Sequence, residues 1–178
     1  MERASLGNMT KTGVMAALLC VLGPLSIPIG PVPFSLAVLV ICLAAEVLGA
    51  RRAAAAVWLY LLIGFAGLPV FTGFAGGPGK MLGPTGGFMV GYVFLALTGG
   101  WACERFPRNF AAQFAGMYAG LVVLYAFGTA WLVHLTKLPL DKALRAAVYP
   151  FVAVDLVKIV LAIVFGRALK KRLAMRYR

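Results

Sequence analysis

Residues 67–87 read GLPVFTGFAGGPGKMLGPTGG, a stretch with eight glycines and three prolines between two strongly apolar segments. A continuous helix is excluded here, because proline fixes φ and lacks a backbone N–H donor, and glycine tolerates angles that other residues avoid. Lipid cannot satisfy free backbone N–H and C=O groups, so irregular backbone at membrane depth has to be buried in protein or line a cavity. The stretch therefore predicts a loop folded over a ligand chamber.

The rest of the composition indicates a membrane protein. Hydrophobic residues make up 62% of the 178 residues and charged residues only 12%, which is too little polar surface for a soluble globule. Uncharged runs of 27 residues (53–79), 23 residues (81–103) and 25 residues (110–134) each exceed the roughly 20 residues needed to cross the hydrocarbon core. A fourth run of 34 residues (12–45) is too long for one span, and the prolines of PLSIPIGPVP (24–33) divide it.

These runs predict an all-α membrane protein with six transmembrane helices in a single domain, residues 1–178. The predicted helices cover residues 9–25, 34–49, 53–67, 87–103, 110–135 and, with a start at either 144 or 150, the segment that ends at 169. The Gly/Pro-rich loop then lies between the third and fourth helices. No soluble catalytic or nucleotide-binding module is visible in the sequence, so any energy source has to come from elsewhere.

The net charge is +12, and the basic residues are distributed as expected for membrane-spanning helices rather than for a nucleic-acid-binding surface. With both termini in the cytoplasm, twelve basic residues fall on that side: Arg3, Lys11, Arg51, Arg52, Arg105, Arg108, Arg167, Lys170, Lys171, Arg172, Arg176 and Arg178. Only Lys80, Lys137, Lys142 and Arg145 fall outside. This asymmetry is the one that the positive-inside rule expects, so we expect a multi-pass protein of a prokaryotic cell membrane, an extracellular loop and no nucleic-acid partner.

Asp155 and Lys158 are two ionisable residues in the last apolar span, YPFVAVDLVKIVLAIVFGR. At positions i and i+3 they share one face of a helix. A charged residue near the bilayer centre costs about 2.5 to 3.5 kcal/mol, so both side chains should face the protein interior. The pair is either a structural ion pair or part of a ligand site, and we favour the ligand site because both groups keep hydrogen-bonding capacity after pairing.

The motif GPTGG (83–87) opens the fourth predicted span. It could direct the Thr85 hydroxyl and backbone N–H groups such as that of Gly86 at a ligand acceptor, since helix N-termini favour anions. A tight turn with close helix packing is an equal alternative. The aromatic residues Phe71, Phe74, Phe88 and Tyr92 are candidates for the wall of an apolar pocket, although any one of them is more often found facing lipid or the core.

The first predicted span has a face of small residues, formed by Gly13, Ala16, Ala17 and Cys20. Such faces let helices approach closely, so this one could contact a partner or pack inside the bundle. No Ser/His/Asp set, HExxH motif, paired carboxylates or Cys/His spacing typical of a metal site occurs in the sequence. We therefore expect no catalytic residues, no metal and no cofactor.

Five motifs in order resemble one family, the BioY proteins, which are the biotin-binding S components of energy-coupling-factor (ECF) transporters. The motifs are GPVPFSL (30–36), YLLIGFAGLPVF (60–71), GGPGKMLGPTGGFMVGY (76–92), YAFGTAWL (125–132) and YPFVAVDLVK (149–158). The resemblance implies a six-helix subunit that captures biotin outside the cell and works with a transmembrane coupling subunit and two cytoplasmic ATPase subunits. It also implies that Asp155 and Lys158 are the family's acid and lysine of the final span.

The sequence departs from the family pattern at a few positions. Ala37 stands where many relatives have glutamine, Ser35 where threonine is usual and Phe88 where tyrosine is usual. Lys80 in the outer loop is a second, weaker candidate for the biotin carboxylate. The small-residue face of the first span resembles the family's docking face for the coupling subunit.

The function that the sequence predicts is therefore biotin binding and uptake by a non-enzymatic subunit within membrane lipid. Two other readings remain at this point: a small intramembrane enzyme that acts on a lipid or acyl substrate, and a membrane scaffold. An enzyme would need an acid/base pair at pocket depth, and Asp155 with Lys158 is the only candidate in the sequence.

Overall fold

The computed structural model describes residues 2–27 and 34–175. In chain order its elements are α1 (Glu2–Leu22), β1 (Ser26–Ile27), β2 (Phe34–Ser35), α2 (Ala37–Leu48), α3 (Ala50–Phe65), α4 (Pro78–Met81), α5 (Gly86–Arg105), α6 (Phe110–Thr136), α7 (Leu140–Ala147) and α8 (Tyr149–Met175). The two short strands pair antiparallel, with Ser26 opposite Ser35 and Ile27 opposite Phe34. The chain is thus mostly helical.

Six helices of twelve or more residues overlap the six that the sequence predicts, with different bounds. The first helix begins at Glu2 rather than residue 9, and the last begins at Tyr149, so the alternative start at 144 is wrong. Residue 144 belongs instead to the separate helix α7, which the sequence analysis does not predict. The uncharged run 12–45 does break, since α1 ends at Leu22 and α2 begins at Ala37. Residues 28–33 of the proline segment lie outside the described residues.

Three helical stretches among the described residues are long and apolar enough to cross a membrane. They are Gly86–Arg105, Phe110–Thr136 and Leu140–Arg172, while Leu6–Leu22 and Ala37–Leu48 are apolar but shorter. Helix α3 has sixteen residues and carries Arg51 and Arg52 in its first turn. The length and composition of these helices are those of a membrane protein.

Helix α2 lies at the centre of the bundle. Nine of its twelve residues are buried, and it packs against α1, α3, α5 and α8. Helices α5 and α6 form a closely packed antiparallel pair that depends on glycine. A Cβ atom at Gly91 would lie 2.7 Å from Leu124 Cα, and one at Gly120 would lie 2.8 Å from Leu95 Cα. Any side chain at Gly91 or Gly120 would therefore force the two helices apart.

The Gly/Pro-rich loop between α3 and α5 is folded against one end of the bundle, which we call the loop end. The Gly73 N–H donates to the Pro24 carbonyl at 3.0 Å, and the Gly77 N–H donates to the Gly64 carbonyl at 2.7 Å. The Trp131 indole N–H donates to the Gly83 carbonyl at 2.9 Å. These bonds tie the loop to the ends of α1, α3 and α6, as expected for irregular backbone that has to satisfy its polar groups internally.

A layer of polar side chains lies at the opposite end of the bundle, and we call it the Arg167 cluster. It consists of Arg167 and Lys170 of α8, Gln113 of α6 and Glu46 of α2. Arg167 donates to Gln113 Oε1 through Nη2 at 2.7 Å and through Nε at 3.0 Å. The Lys170 ammonium lies 3.3 Å from Glu46 Oε1. This cluster joins α8 to both α6 and α2 at the end remote from the loop.

Candidate ligand-binding site

A cavity lies beneath the loop end of the bundle. About 580 Å³ of space inside its walls and mouth is free of protein atoms. Its lining residues are Ser35, Val38, Tyr60, Thr72, Thr85, Phe88, Met89, Tyr92, Leu124, Tyr125, Ala147, Phe151, Asp155 and Lys158. An apolar wall with a few polar groups is typical of a small-molecule site.

The charged pair predicted from the sequence lies on this cavity. The carboxylate and ammonium groups are joined by a 2.6 Å ion pair between Asp155 Oδ1 and Lys158 Nζ, and both residues are at least 95% buried. The Tyr125 hydroxyl of α6 donates to Asp155 Oδ2 at 2.6 Å. Charge-assisted bonds of this length are strong, so the carboxylate is held in a fixed orientation.

The lysine is held by the start of α2. Lys158 Nζ donates to the Ser35 carbonyl oxygen at 2.7 Å and lies 3.9 Å from the centre of the Phe34 ring, a cation–π contact. We call Asp155, Lys158, Tyr125 and the Ser35 carbonyl the Asp155 cluster. An ammonium group has three donors and a carboxylate about four acceptor positions, so the cluster retains hydrogen-bonding capacity towards the cavity.

Ser35 also fixes the backbone that supplies this carbonyl. Its hydroxyl donates to the Gly23 carbonyl at 3.0 Å and accepts the Ala37 N–H at 3.1 Å. Position 37, where relatives often have glutamine, is fully buried and does not line the cavity. The alanine at position 37 therefore leaves the polar groups of the cavity wall unchanged.

Thr85 provides a polar group without a protein partner. It occupies the N-cap position of α5, yet its side chain accepts no capping hydrogen bond. Its hydroxyl oxygen is buried and has no hydrogen-bond partner among the described residues. A buried hydroxyl left unpaired costs about 1 to 3 kcal/mol, so a ligand that bonds to Thr85 would recover that cost.

Apolar side chains form the remaining walls. Phe151 of α8 is 5% exposed and stacks on Phe34 with 6.2 Å between ring centres. Phe88, Met89 and Leu124 close the sides that α5 and α6 contribute. The cavity thus combines a charged, hydrogen-bonding wall with an apolar one.

Five of the nine ligand-site residues predicted from the sequence line this cavity: Asp155, Lys158, Thr85, Phe88 and Tyr92. Gly86 follows Thr85, but its N–H donates to the Gly83 carbonyl at 3.0 Å and is used within the loop. A Cβ atom at Gly86 would overlap the Met81 carbonyl oxygen, so this glycine serves a close backbone approach.

Three predicted residues are not among those that line this cavity. Phe71 is fully buried behind the cavity wall, where it packs edge-on against Tyr60 and fills the space left by Gly64. Phe74 is 65% exposed on the outside of the loop. Lys80 lies in α4 and is not among the lining residues.

Neither the Tyr125 hydroxyl nor the Ser35 carbonyl is predicted from the sequence as part of the site. The signal for Tyr125 is a hydroxyl group within the uncharged run 110–134. A backbone carbonyl has no signature in a sequence. Among the described residues, no group of three or more His, Cys, Asp or Glu side chains could hold a metal ion.

The small-residue face of α1 is divided by the structure. Gly13 and Ala17 are exposed, and Cys20 is half-buried. Ala16 is only 3% exposed and packs inside the bundle, because it lies on the side of α1 that faces α2 and α3. The space in which a Gly13 side chain would stand is open, with no atom within 4 Å.

Comparisons with known proteins agree with this architecture. The chain is 37% identical over 174 residues to the biotin transporter BioY2 of Lactococcus lactis, an alignment that covers 98% of this chain and 96% of the relative. It is 39% identical over 164 residues to the biotin transporter BioY of Thermotoga maritima, covering 92% of this chain and 96% of that protein.

A solved structure matches the fold as well. The crystal structure of the S-component for biotin from an ECF-type ABC transporter superposes with a TM-score of 0.89 at 28% identity and covers 96% of this chain and 94% of its own. The sequence profile of the BioY family matches residues 1–175. The resemblance seen in the motifs is thereby confirmed, and the chain belongs to the BioY family.

Proposed function

We propose that this chain is the biotin-binding S component of an ECF-type transporter and mediates the uptake of biotin across the membrane. The observation that carries the proposal is the Asp155 cluster, a buried ion pair with spare hydrogen-bonding capacity on the wall of a largely apolar cavity. The relatives named above as biotin transporters support the identity of the ligand.

Biotin has chemical groups that match each wall of this cavity. Its ureido ring offers two N–H donors and a carbonyl acceptor, and its thiophane ring and valeryl chain are apolar. Asp155 can accept ureido N–H bonds, and Lys158 can donate to the ureido oxygen or to the ligand carboxylate. Phe151, Phe88 and Leu124 offer apolar surface for the thiophane ring and the chain.

The test is a calorimetric titration of the purified protein with biotin, followed by mass spectrometry of the recovered ligand. We expect one biotin per protein molecule and an unchanged ligand. Desthiobiotin keeps the ureido group and the carboxylate but lacks the thiophane sulfur, and a biotin amide lacks the carboxylate, so their affinities separate the contacts of the thiophane ring from those of the carboxylate. Conversion of the ligand would instead favour an intramembrane enzyme, and the absence of binding would exclude the proposal.

The chain is further proposed to assemble with a transmembrane coupling subunit and two ATPase subunits through the exposed face of α1. The open space at Gly13 and the exposed Ala17 support a close helix contact there. Replacing Ala17 with tryptophan should abolish co-purification with the coupling subunit and leave biotin affinity unchanged. Ala16→Trp is the contrasting variant, because a bulky side chain at this buried position should impair folding. An intact complex with Ala17→Trp excludes docking through this face.

A six-span arrangement in the cell membrane, with both termini in the cytoplasm, is the topology that the charge distribution supports. It places the loop end outside and the Arg167 cluster inside. Single cysteines at Lys80 and at Arg172 test it in intact cells, on a background in which the three native cysteines are replaced. A membrane-impermeant maleimide should label position 80 and leave position 172 unlabelled, and the reverse pattern would contradict the topology.

The loop of residues 73–87 is proposed to act as a lid. Only about 50 Å³ of the cavity admits the centre of a water-sized sphere, so the walls have to separate for biotin to enter. Thr85 belongs both to this loop and to the cavity lining, and glycine-rich loops of this kind can move on binding. Trypsin cleavage after Lys80 should slow at saturating biotin, and equal cleavage rates would count against a lid.

A further inference from the structure

A second concave surface, which we call the α1–α3 groove, lies far from the biotin cavity. It runs between α1 and α3 at the end of the bundle opposite the loop, and about 970 Å³ of space in and above it, open solvent included, is free of protein atoms. Its lining residues are Asn8, Met9 and Thr12 of α1 and Arg52, Ala55 and Leu59 of α3. None of these six residues takes part in the Asp155 cluster or the cavity.

Arg52 forms the polar end of the groove, and its guanidinium group has N–H donors that are not used by Asn8. Arg52 Nη1 donates to Asn8 Oδ1 at 3.1 Å, and a guanidinium group has five N–H donors. Among the side chains that the structure describes, those of residues 6–27 and 34–172, no carboxylate forms an ion pair with Arg52. The planar guanidinium is suited to bidentate recognition of a phosphate group.

The position of Arg52 in the helix strengthens the case for an anion. It lies in the first turn of α3, which contains no acidic residue, and a cation at a helix N-terminus opposes the helix macrodipole. Glu104 contributes one carboxylate oxygen to this helix end, where it accepts the Ala50 N–H at 3.2 Å. A phosphate at Arg52 would balance both the side-chain charge and the helix dipole.

The remainder of the groove is apolar and continues along α3. Ala55 and Leu59 lie about 4.5 Å and about 10.5 Å beyond Arg52 along the helix axis at 1.5 Å per residue. Leu59 is 44% exposed and Met9 is 68% exposed, which leaves an open apolar track beneath the cation. A phosphate-binding head above an apolar track is the shape of a phospholipid site.

We propose that the α1–α3 groove binds one anionic phospholipid, with its phosphate on Arg52 and Asn8 and an acyl chain along Ala55 and Leu59. The occupant is a lipid rather than the coupling subunit, because the head of the groove carries the Arg52 cation; on α1, Asn8 and Thr12 lie about 140° from Gly13 and Ala17, and Met9 lies between the two sets, about 40° from Gly13. The basic residues Arg51, Arg105 and Arg108 lie at the same end of the bundle, at the start of α3, at the end of α5 and just before α6, and they favour the same class of ligand.

The experiment measures lipid retention by native mass spectrometry of the full-length protein. Palmitoyl-oleoyl phosphatidylglycerol is the probe, and phosphatidylcholine with the same chains is the uncharged comparison. The variants are Arg52→Ala and Arg51→Ala, two neighbouring exposed arginines of which only Arg52 lines the groove. We expect Arg52→Ala to weaken phosphatidylglycerol binding at least about fivefold and Arg51→Ala to leave it within about twofold.

A second variant and a soluble competitor complete the test. Leu59→Trp should fill the track and also weaken phosphatidylglycerol binding, while glycerol 3-phosphate without acyl chains should not displace the lipid. Biotin affinity is the folding control and should stay unchanged in every variant. Equal losses in Arg51→Ala and Arg52→Ala, or no loss in Arg52→Ala, would overturn the proposal. It is equally overturned if Arg52→Ala keeps its lipid and loses the coupling subunit.

Discussion

Helix α8 is joined to the same two helices, α2 and α6, by two polar clusters of different character. At the loop end, Asp155 and Lys158 contact Tyr125 and the backbone before α2. At the other end, Arg167 and Lys170 contact Gln113 and Glu46. Each cluster uses an i, i+3 pair of α8, and the two pairs are twelve residues apart, about 18 Å along the helix.

The two clusters differ in what lies beside them. The Asp155 cluster borders the cavity, next to the unpaired hydroxyl of Thr85. In the Arg167 cluster, Gln113 is fully buried, and Glu46 packs so closely against Gly166 that a side chain there would collide with it. Both clusters are polar, but only the Asp155 cluster has free space beside it. That space therefore distinguishes the candidate ligand site from a structural contact.

The largest expected effect is that of Lys158→Met, which removes the ammonium group and keeps a side chain of similar length. The Asp155 carboxylate is then left buried with only the Tyr125 hydroxyl as its partner, and loss of one member of such a pair costs about 3 to 5 kcal/mol. We expect biotin affinity to fall at least about 100-fold in a titration. An affinity within about threefold of the wild type would remove Lys158 from the site.

A smaller effect is expected for Tyr125→Phe, which deletes the hydroxyl and keeps the ring on the cavity wall. The hydrogen bond to the Asp155 carboxylate is charge-assisted, and such a bond contributes about 1.5 to 3 kcal/mol. Biotin binding should weaken about tenfold, mainly through faster dissociation measured with radiolabelled ligand. Tyr118→Phe, at a position of α6 that is exposed and does not line the cavity, is the matched control and should bind normally.

Thr85→Val tests the unpaired hydroxyl with a side chain of nearly the same shape. If biotin bonds to Thr85, affinity should fall about fivefold, the value of one neutral hydrogen bond. Because no protein partner is lost, the melting temperature of the ligand-free protein should stay the same or rise slightly. A wild-type affinity would show that the ligand does not use this hydroxyl.

The comparison predicts the smallest effect on binding for Gln113→Leu in the Arg167 cluster. This change leaves the half-buried Arg167 without the oxygen that accepts its two hydrogen bonds. A fully buried unpaired donor costs about 1 to 3 kcal/mol, so a cost near the lower end is expected here. The melting temperature should therefore drop by a few degrees while biotin affinity stays within about twofold. A loss of binding at unchanged stability would mean that both clusters serve the ligand.

Much of this architecture could be predicted from the sequence, because long uncharged runs and a Gly/Pro-rich interruption leave few alternatives. Asp155 and Lys158 stood out since charged residues within an apolar span are costly. Helix α7 was missed because its few turns contain Asp141, Lys142 and Arg145, which gave it the appearance of a polar connection.

The rest of the site depends on packing that a sequence does not display. Tyr125 meets Asp155 across thirty residues of chain, and nothing local distinguishes it from a lipid-facing tyrosine. Phe71 is an aromatic residue of the kind that lines pockets, but its ring occupies the space left by the missing side chain of Gly64 and lies behind the cavity wall. Similarly, Ala16 and Ala17 are equivalent in sequence and are separated only by the side of α1 that contacts α2 and α3.

The central claim is that the Asp155 cluster binds biotin and that the Arg167 cluster holds the helices together. Its most direct test is a pair of isosteric substitutions, Asp155→Asn and Glu46→Gln, each of which neutralises a buried carboxylate paired with a lysine of α8. Biotin titration of both variants under one condition should show at least about 100-fold weaker binding for Asp155→Asn and an affinity within about threefold of the wild type for Glu46→Gln. Equal losses in the two variants, or the reverse order, would contradict the account.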